Sequence, residues 1–178
     1  MGVADSFQSS SLLVKITLIV ALVSNLLNWI SFTTTSWATY SGPFGADSYT
    51  GLWRSCGTLG GCSQLDGSGS SRFIAIQAFG IFGFISLNVA VLLLVLYIFW
   101  GSCRGNAEVK LAAAILLFVS VVTWLIAVIV FGADFYKDVK NNYSDLDYSF
   151  GLAIVSLLLS LVCGILLVVD GNSSVGSK

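Results

Sequence analysis

Cys56 and Cys62 stand in the stretch GLWRSCGTLGGC (51–62), and paired thiols can bridge, ligate a metal or exchange electrons. Zinc wants four ligands, yet the chain has no His and only two further cysteines, Cys103 and Cys163, both remote in sequence, so the pair makes a poor metal site. The spacing is not the C-x-x-C of dithiol redox centres. Gly60-Gly61 between them suits a tight reversal. The expected chemistry is therefore a disulfide stapling one hairpin, with a loop this short adding roughly 2–2.5 kcal/mol by chain entropy. No other constellation competes. The chain shows no paired acids within its apolar runs and no Gly-x-Ser-x-Gly elbow, so no catalytic residue, cofactor site or metal site is expected, and the chain is read as no enzyme.

The elements that must position this pair are mostly apolar. Of 178 residues 56% are hydrophobic and 10% charged, with mean hydropathy +0.91; a soluble domain carries about a quarter charged residues. A bilayer core needs about 20 apolar residues per helix. Four windows qualify: 12–32, 73–100, 111–131 and 150–169. The first lacks the basic flank and short apolar run of a cleaved signal and is read as a retained span. A net charge of −1 without a basic stripe excludes nucleic acid as a partner. Membrane lipid is the expected surrounding.

Four spans put both termini on one side, leaving loops 33–72 and 132–149 opposite the segments 1–11, 101–110 and 170–178. Lys and Arg divide evenly between the sides, though more densely on the terminal one, which favours cytoplasmic termini. A bridged Cys56–Cys62 pair demands an oxidising compartment, so loops 33–72 and 132–149 are expected to be extracellular. The sequon at Asn142 agrees, making it a candidate glycosylation site; the sequon at Asn172 then lies inside. Cys103, in FWGSCRG beside Arg104, is a candidate for palmitoylation.

Within lipid, small residues and polar contacts join helices. Ser156, Ser160 and Gly164 form one small-residue row, and Gly80, Gly83, Ser86 and Ala90 another. Asn25 and Asn28 should seek partners on a neighbouring helix. Lys15 can snorkel, and Trp29, Trp37, Tyr97, Trp100 and Tyr136 fall where an interfacial aromatic belt is expected. The architecture expected is an all-α, left-handed four-helix membrane bundle. A small antiparallel β-sheet from the outer loops caps it, because Thr, Tyr and Trp in 33–56 favour strands and Ser-Gly-Pro at 41–43 breaks them.

Trp37, Gly51-Leu52-Trp53, Cys56 and Cys62, placed between a first and a second span, resemble the W–GLW–C–C signature of the claudin, peripheral-myelin-protein and epithelial-membrane-protein superfamily. Arg72 before the second span (RFIAIQAFGIFGF), FGADFY (131–136) and YSFG (148–151) are similar to further elements of that superfamily. The resemblance covers essentially the whole chain as a single claudin-like domain, 1–178. Two features depart from vertebrate claudins: the narrow cysteine gap, and an end in Val-Gly-Ser-Lys instead of the Tyr-Val that binds PDZ scaffolds. The chain is thus closer to a divergent, invertebrate-like member, and a PDZ scaffold is not expected at its C-terminus.

The resemblance implies one of two functions. In the first, the protein sits in the plasma membrane at cell–cell junctions, associates with itself in cis and trans, and seals or selects the paracellular space. In the second, it is an auxiliary subunit packed beside the helices of an ion channel or receptor. Loop 33–72 matches claudin size better than the larger loop of the receptor-auxiliary branch. Gap-junction proteins, with cysteines in both outer loops, and tetraspanins, with a large CCG-bearing second loop, do not fit. Tyr40, Phe44 and Tyr49 flank the Gly/Pro turn and are candidates for contact with a partner.

Overall fold

The computed structural model describes residues 3–65, 70–139 and 144–175. A short helix α1 (Val3–Gln8) precedes four long ones: α2 (Leu12–Thr33), α3 (Ser71–Phe99), α4 (Ala107–Val139) and α5 (Tyr148–Val175). All four are long and apolar enough to cross a bilayer, and they form a bundle capped at one end by a five-stranded antiparallel sheet. The strands are β1 (Ala38–Tyr40), β2 (Ser48–Thr50), β3 (Arg54–Gly57), β4 (Gly61–Gln64) and β5 (Ser144–Leu146), in the order β4-β3-β2-β1-β5.

The helices begin where side chains can satisfy their first N–H groups. Ser11 Oγ accepts from Val14 N, Ser70 Oγ from Phe73 N, and Asp147 Oδ1 from Tyr148 N. α4 extends beyond the apolar window 111–131 at both ends. The window marks only the lipid-matched portion, whereas a helix continues as long as its backbone bonds are made. Much of the stretch read as a second loop is therefore helix.

α2 packs chiefly on α5, and α3 on α4. Ser24 Oγ donates to the Ser156 carbonyl (2.8 Å), Ser156 Oγ donates back to the Ser24 carbonyl (2.9 Å), and the Ser160 hydroxyl lies 2.9 Å from Ser24 Oγ. Between α3 and α4, a Cβ at Gly83 would stand 2.5 Å from the Trp124 ring, so only glycine lets that indole in. Ser120 Oγ donates to the Gly83 carbonyl at 2.9 Å. Gly164 faces the Phe118 ring. The serines of the α5 row thus exchange hydroxyl bonds with α2, whereas Gly164 of that row and Gly83 of the α3 row each admit an α4 aromatic. Asn25 Nδ2 donates to Asn88 Oδ1 (3.3 Å), as expected of an amide in lipid. Asn28, 1% exposed, makes no side-chain hydrogen bond among the described residues.

The packed interior divides into two clusters. The one nearer the termini gathers Val14, Leu18, Leu87, Leu94, Ile98, Leu117 and Leu167. The one beneath the sheet gathers Trp37, Leu52, Ile76, Trp124, Phe131, Phe150 and Leu157. Leu22, Leu26, Phe82, Ile85, Leu92, Val122 and Leu158 point outward, the apolar exterior that lipid covers.

Candidate functional site

The sheet is a polar, chemically varied surface at one end of the fold, and its lower edge is bolted to the bundle. β1 leaves α2 through Trp37, which is fully buried. Its Nε1–H donates to the Ser31 carbonyl (2.8 Å), and its ring meets Trp124, Phe131 and Phe150 at centroid distances of 6.0, 5.0 and 5.8 Å. Trp37 is therefore a core residue and not part of the interfacial belt. An aromatic at the end of a span can face either way, and here the sheet folds over it. Trp29 (48% exposed) and Trp100 (61% exposed) do face outward.

The turn between β2 and β3 holds Gly51, Leu52 and Trp53. A Cβ at Gly51 would lie 2.4 Å from the Thr34 carbonyl oxygen and 2.7 Å from Thr35 Cα, so the backbone seats directly on the end of α2. Leu52 plunges into the bundle, fully buried. Trp53 sets its ring edge-on to Phe32 of α2 at 5.1 Å. Gln77, nearly two turns into α3, donates from Nε2 to the Leu52 carbonyl (2.7 Å) and the Leu65 carbonyl (3.1 Å). Gln77 lies in the IQA stretch, yet nothing in its spacing reveals that it clamps the sheet. Arg72 Nη1 meets Asp134 Oδ1 at 2.8 Å, tying the start of α3 to α4. With its side chain 59% exposed, that pair adds about 1 kcal/mol or less.

Cys56 and Cys62 are bonded to each other. They face one another across the β3–β4 ladder, flanked by the Ser55↔Ser63 and Gly57↔Gly61 pairs. Gly61 takes the positive φ (+75°) that the reversal requires. Cys56→Ser should lower stability by about 2 kcal/mol through loss of the cross-link. Thermal unfolding under reducing and non-reducing conditions checks it: reduction should lower the wild-type midpoint to that of the variant and leave the variant unmoved.

The upper rim is different. The β1–β2 tip closes through Gly42 N to the Ala46 carbonyl (3.2 Å). Thr58, in the β3–β4 tip, ties the two tips together by donating N–H to the Asp47 carbonyl (2.9 Å) and Oγ1–H toward the Gly45 and Asp47 carbonyls. On this rim stand Phe44, 104% exposed, and Leu59, 82% exposed. Phe44 holds φ +61°, a left-handed backbone that costs a non-glycine residue about 1–2 kcal/mol. Tyr40 and Tyr49 are only half-buried, and Tyr40 packs against the upper cluster. Of the three aromatics singled out by their place near the turn, Phe44 alone projects fully; Leu59, which no pattern marks, joins it. Cys103 lies half-buried in the α3–α4 turn at the opposite end, and Asn142 lies outside the described residues.

β5 adds to the free edge of β1, with Thr39 opposite Asp145, and Asp147 N donates to the Trp37 carbonyl (3.0 Å). A four-helix bundle thus carries one sheet built from both of its loops on that side, stapled by a Cys pair and seated through W and GLW. The model of the PMP-22/EMP/MP20/Claudin family matches residues 9–167. The chain belongs to that family. No curated protein matches its sequence. As a member of the claudin family with four such helices it is a multi-pass membrane protein, and its apolar exterior contacts lipid. The W and GLW residues of the claudin-like signature are seat and anchor, while Phe44 and Leu59 face away from the bundle. Among the described residues no group of three His, Cys, Asp or Glu side chains gathers as a metal would need.

Proposed function

We propose that the chain is a claudin-like protein of cell junctions in the plasma membrane. It acts by binding, not by catalysis, in cell–cell adhesion and in paracellular barrier or selectivity. The observation that carries this reading is the rim of the sheet, where a fully exposed Phe44 in a strained backbone stands with Leu59 on two hairpin tips tied together by Thr58. Water gains nothing from an aromatic held there, whereas a partner that buries it does: exposed aromatic anchors of this kind dominate interface energetics. In this reading Phe44 leads, with Tyr40 and Tyr49 at the margin of the contact.

The orientation that goes with it places the sheet outside and both termini in the cytoplasm. The Cys56–Cys62 bridge supports that orientation, because disulfides persist in oxidising compartments. Asn142 would then be open to glycosylation and Cys103 to palmitoylation at the inner face.

A second reading, an auxiliary subunit beside a channel or receptor, draws on one feature of the helices. Trp29 Nε1 and Asn25 Nδ2 both donate to Asn88 Oδ1 on the outer side of α2 and α3, and polar side chains at lipid depth favour helix–helix association. Expression alone in cells without junctions tests the choice. Adhesion predicts that the protein gathers at cell–cell contacts and forms strands. Diffuse surface staining, with a stoichiometric channel or receptor co-purifying from native tissue, would establish the auxiliary role instead.

A further inference from the structure

At the end of the bundle away from the sheet, the α1–α2 turn, the α3–α4 turn and the last turns of α5 enclose an open cavity of about 490 Å³. Its wall is not apolar like the rest of the bundle. Arg104 lines it from the α3–α4 turn, Lys110 from the first turn of α4, Tyr97 from the end of α3, Ser9 and Ser11 from the α1–α2 turn, and Asp170 from α5. Among the described lining residues two are cationic and one is anionic.

We propose that this cavity binds the uncapped, anionic phosphate head of a membrane lipid. Lys110 Nζ donates to Asp170 Oδ2 at 2.9 Å, and both side chains are only 12% exposed. Asp170 also accepts from Ser11 Oγ at 2.5 Å. The carboxylate therefore fixes the lysine at the cavity wall and ties it to the α1–α2 turn. An ammonium has three N–H donors, so this contact leaves Lys110 able to serve an oxygen in the cavity as well. Arg104, which donates to Ser9 Oγ, brings a planar guanidinium, the side chain best matched to a phosphate's oxygens. Tyr97 lines the cavity from the end of α3 and carries a phenol O–H that can donate. A tetrahedral anion with several oxygens can use donors converging from different elements.

The level of the cavity agrees with a lipid source. α2 starts and α3 ends beside it, and Trp100, 61% exposed, sits between Tyr97 and Arg104 as an interfacial aromatic does. That is the depth of phospholipid headgroups. If the termini are cytoplasmic, this is the leaflet rich in anionic lipid.

The test uses the full chain purified in detergent, with lipid binding followed by native mass spectrometry. Phosphatidic acid should bind with at least tenfold preference over phosphatidylcholine, and Arg104→Gln should lower its affinity about tenfold, as loss of one charge-assisted hydrogen bond does. Arg104→Lys should recover part of the loss. Tyr97→Phe, a smaller change to the fold, should weaken phosphatidic acid binding in the same direction. Inorganic phosphate serves as competitor. Displacement of the lipid only at large excess supports the lipid source, whereas equal potency would overturn it in favour of a soluble phosphate. Equal binding of the two lipids, or affinity unchanged in whichever of Arg104→Gln and Tyr97→Phe folds, overturns the site.

Discussion

Trp37→Ala should destabilise the folded chain by about 3–5 kcal/mol, the cost of emptying a large buried aromatic site. The indole is fully buried and meets three of the four long helices at the sheet's lower edge. It touches α4 through Trp124 and Phe131, α5 through Phe150, and the end of α2 through the Ser31 carbonyl. Removing it leaves a cavity among three helices and orphans a buried carbonyl. A domain's whole stability is about 5–15 kcal/mol, so most of the variant should be retained before it reaches the cell surface. Trp37→Phe keeps ring contact but loses the N–H donor, and should cost about 1–3 kcal/mol. Surface biotinylation and unfolding midpoints in detergent measure both; an Ala variant with wild-type values would show that the sheet does not depend on this anchor.

Gly51→Ala should also destabilise the chain although it adds a single methyl. That carbon would fall 2.4 Å from the Thr34 carbonyl oxygen and 2.7 Å from Thr35 Cα. Both are backbone, so no rotamer change relieves the clash; the turn must lift, drawing the buried Leu52 with it and lengthening the Gln77 hydrogen bonds to the Leu52 and Leu65 carbonyls. Overpacking of this kind costs about 1–3 kcal/mol. Gly60→Ala is the matched control, because an added Cβ there meets nothing within 4 Å, and it should change stability by less than about 0.5 kcal/mol. Equal unfolding midpoints for the two variants would refute the seat.

Most of the architecture was legible before the structure, because its causes are local. Apolar runs longer than a bilayer core announce the helices, and Gly60-Gly61 between two cysteines announces the β3–β4 hairpin. What was hidden depends on tertiary placement. Trp37 has the address of a belt residue, and only the sheet closing above it makes it core. β5, Ser-Asp-Leu, has no strand pattern of its own and becomes a strand by pairing with β1. Gln77 reads as one polar residue at the start of a span until the carbonyls of Leu52 and Leu65 arrive above it. Leu59 reads as a turn residue, and only the Thr58 link sets its tip beside that of Phe44.

That rim decides the proposed function, and cells in mixed culture test it most directly. Two populations without junctions of their own, each expressing the protein with a different fluorescent tag, are grown together with non-expressing cells. If the sheet binds its counterpart on a neighbour, both colours accumulate where two expressing cells meet and neither does against a non-expressing cell. Phe44→Asp on one side should reduce the contact to the level of free membrane. Phe44 packs on nothing and Asp tolerates the left-handed backbone better, so the variant should reach the surface normally. Uniform staining of the wild type, or contacts that Phe44→Asp leaves undiminished, would contradict the account.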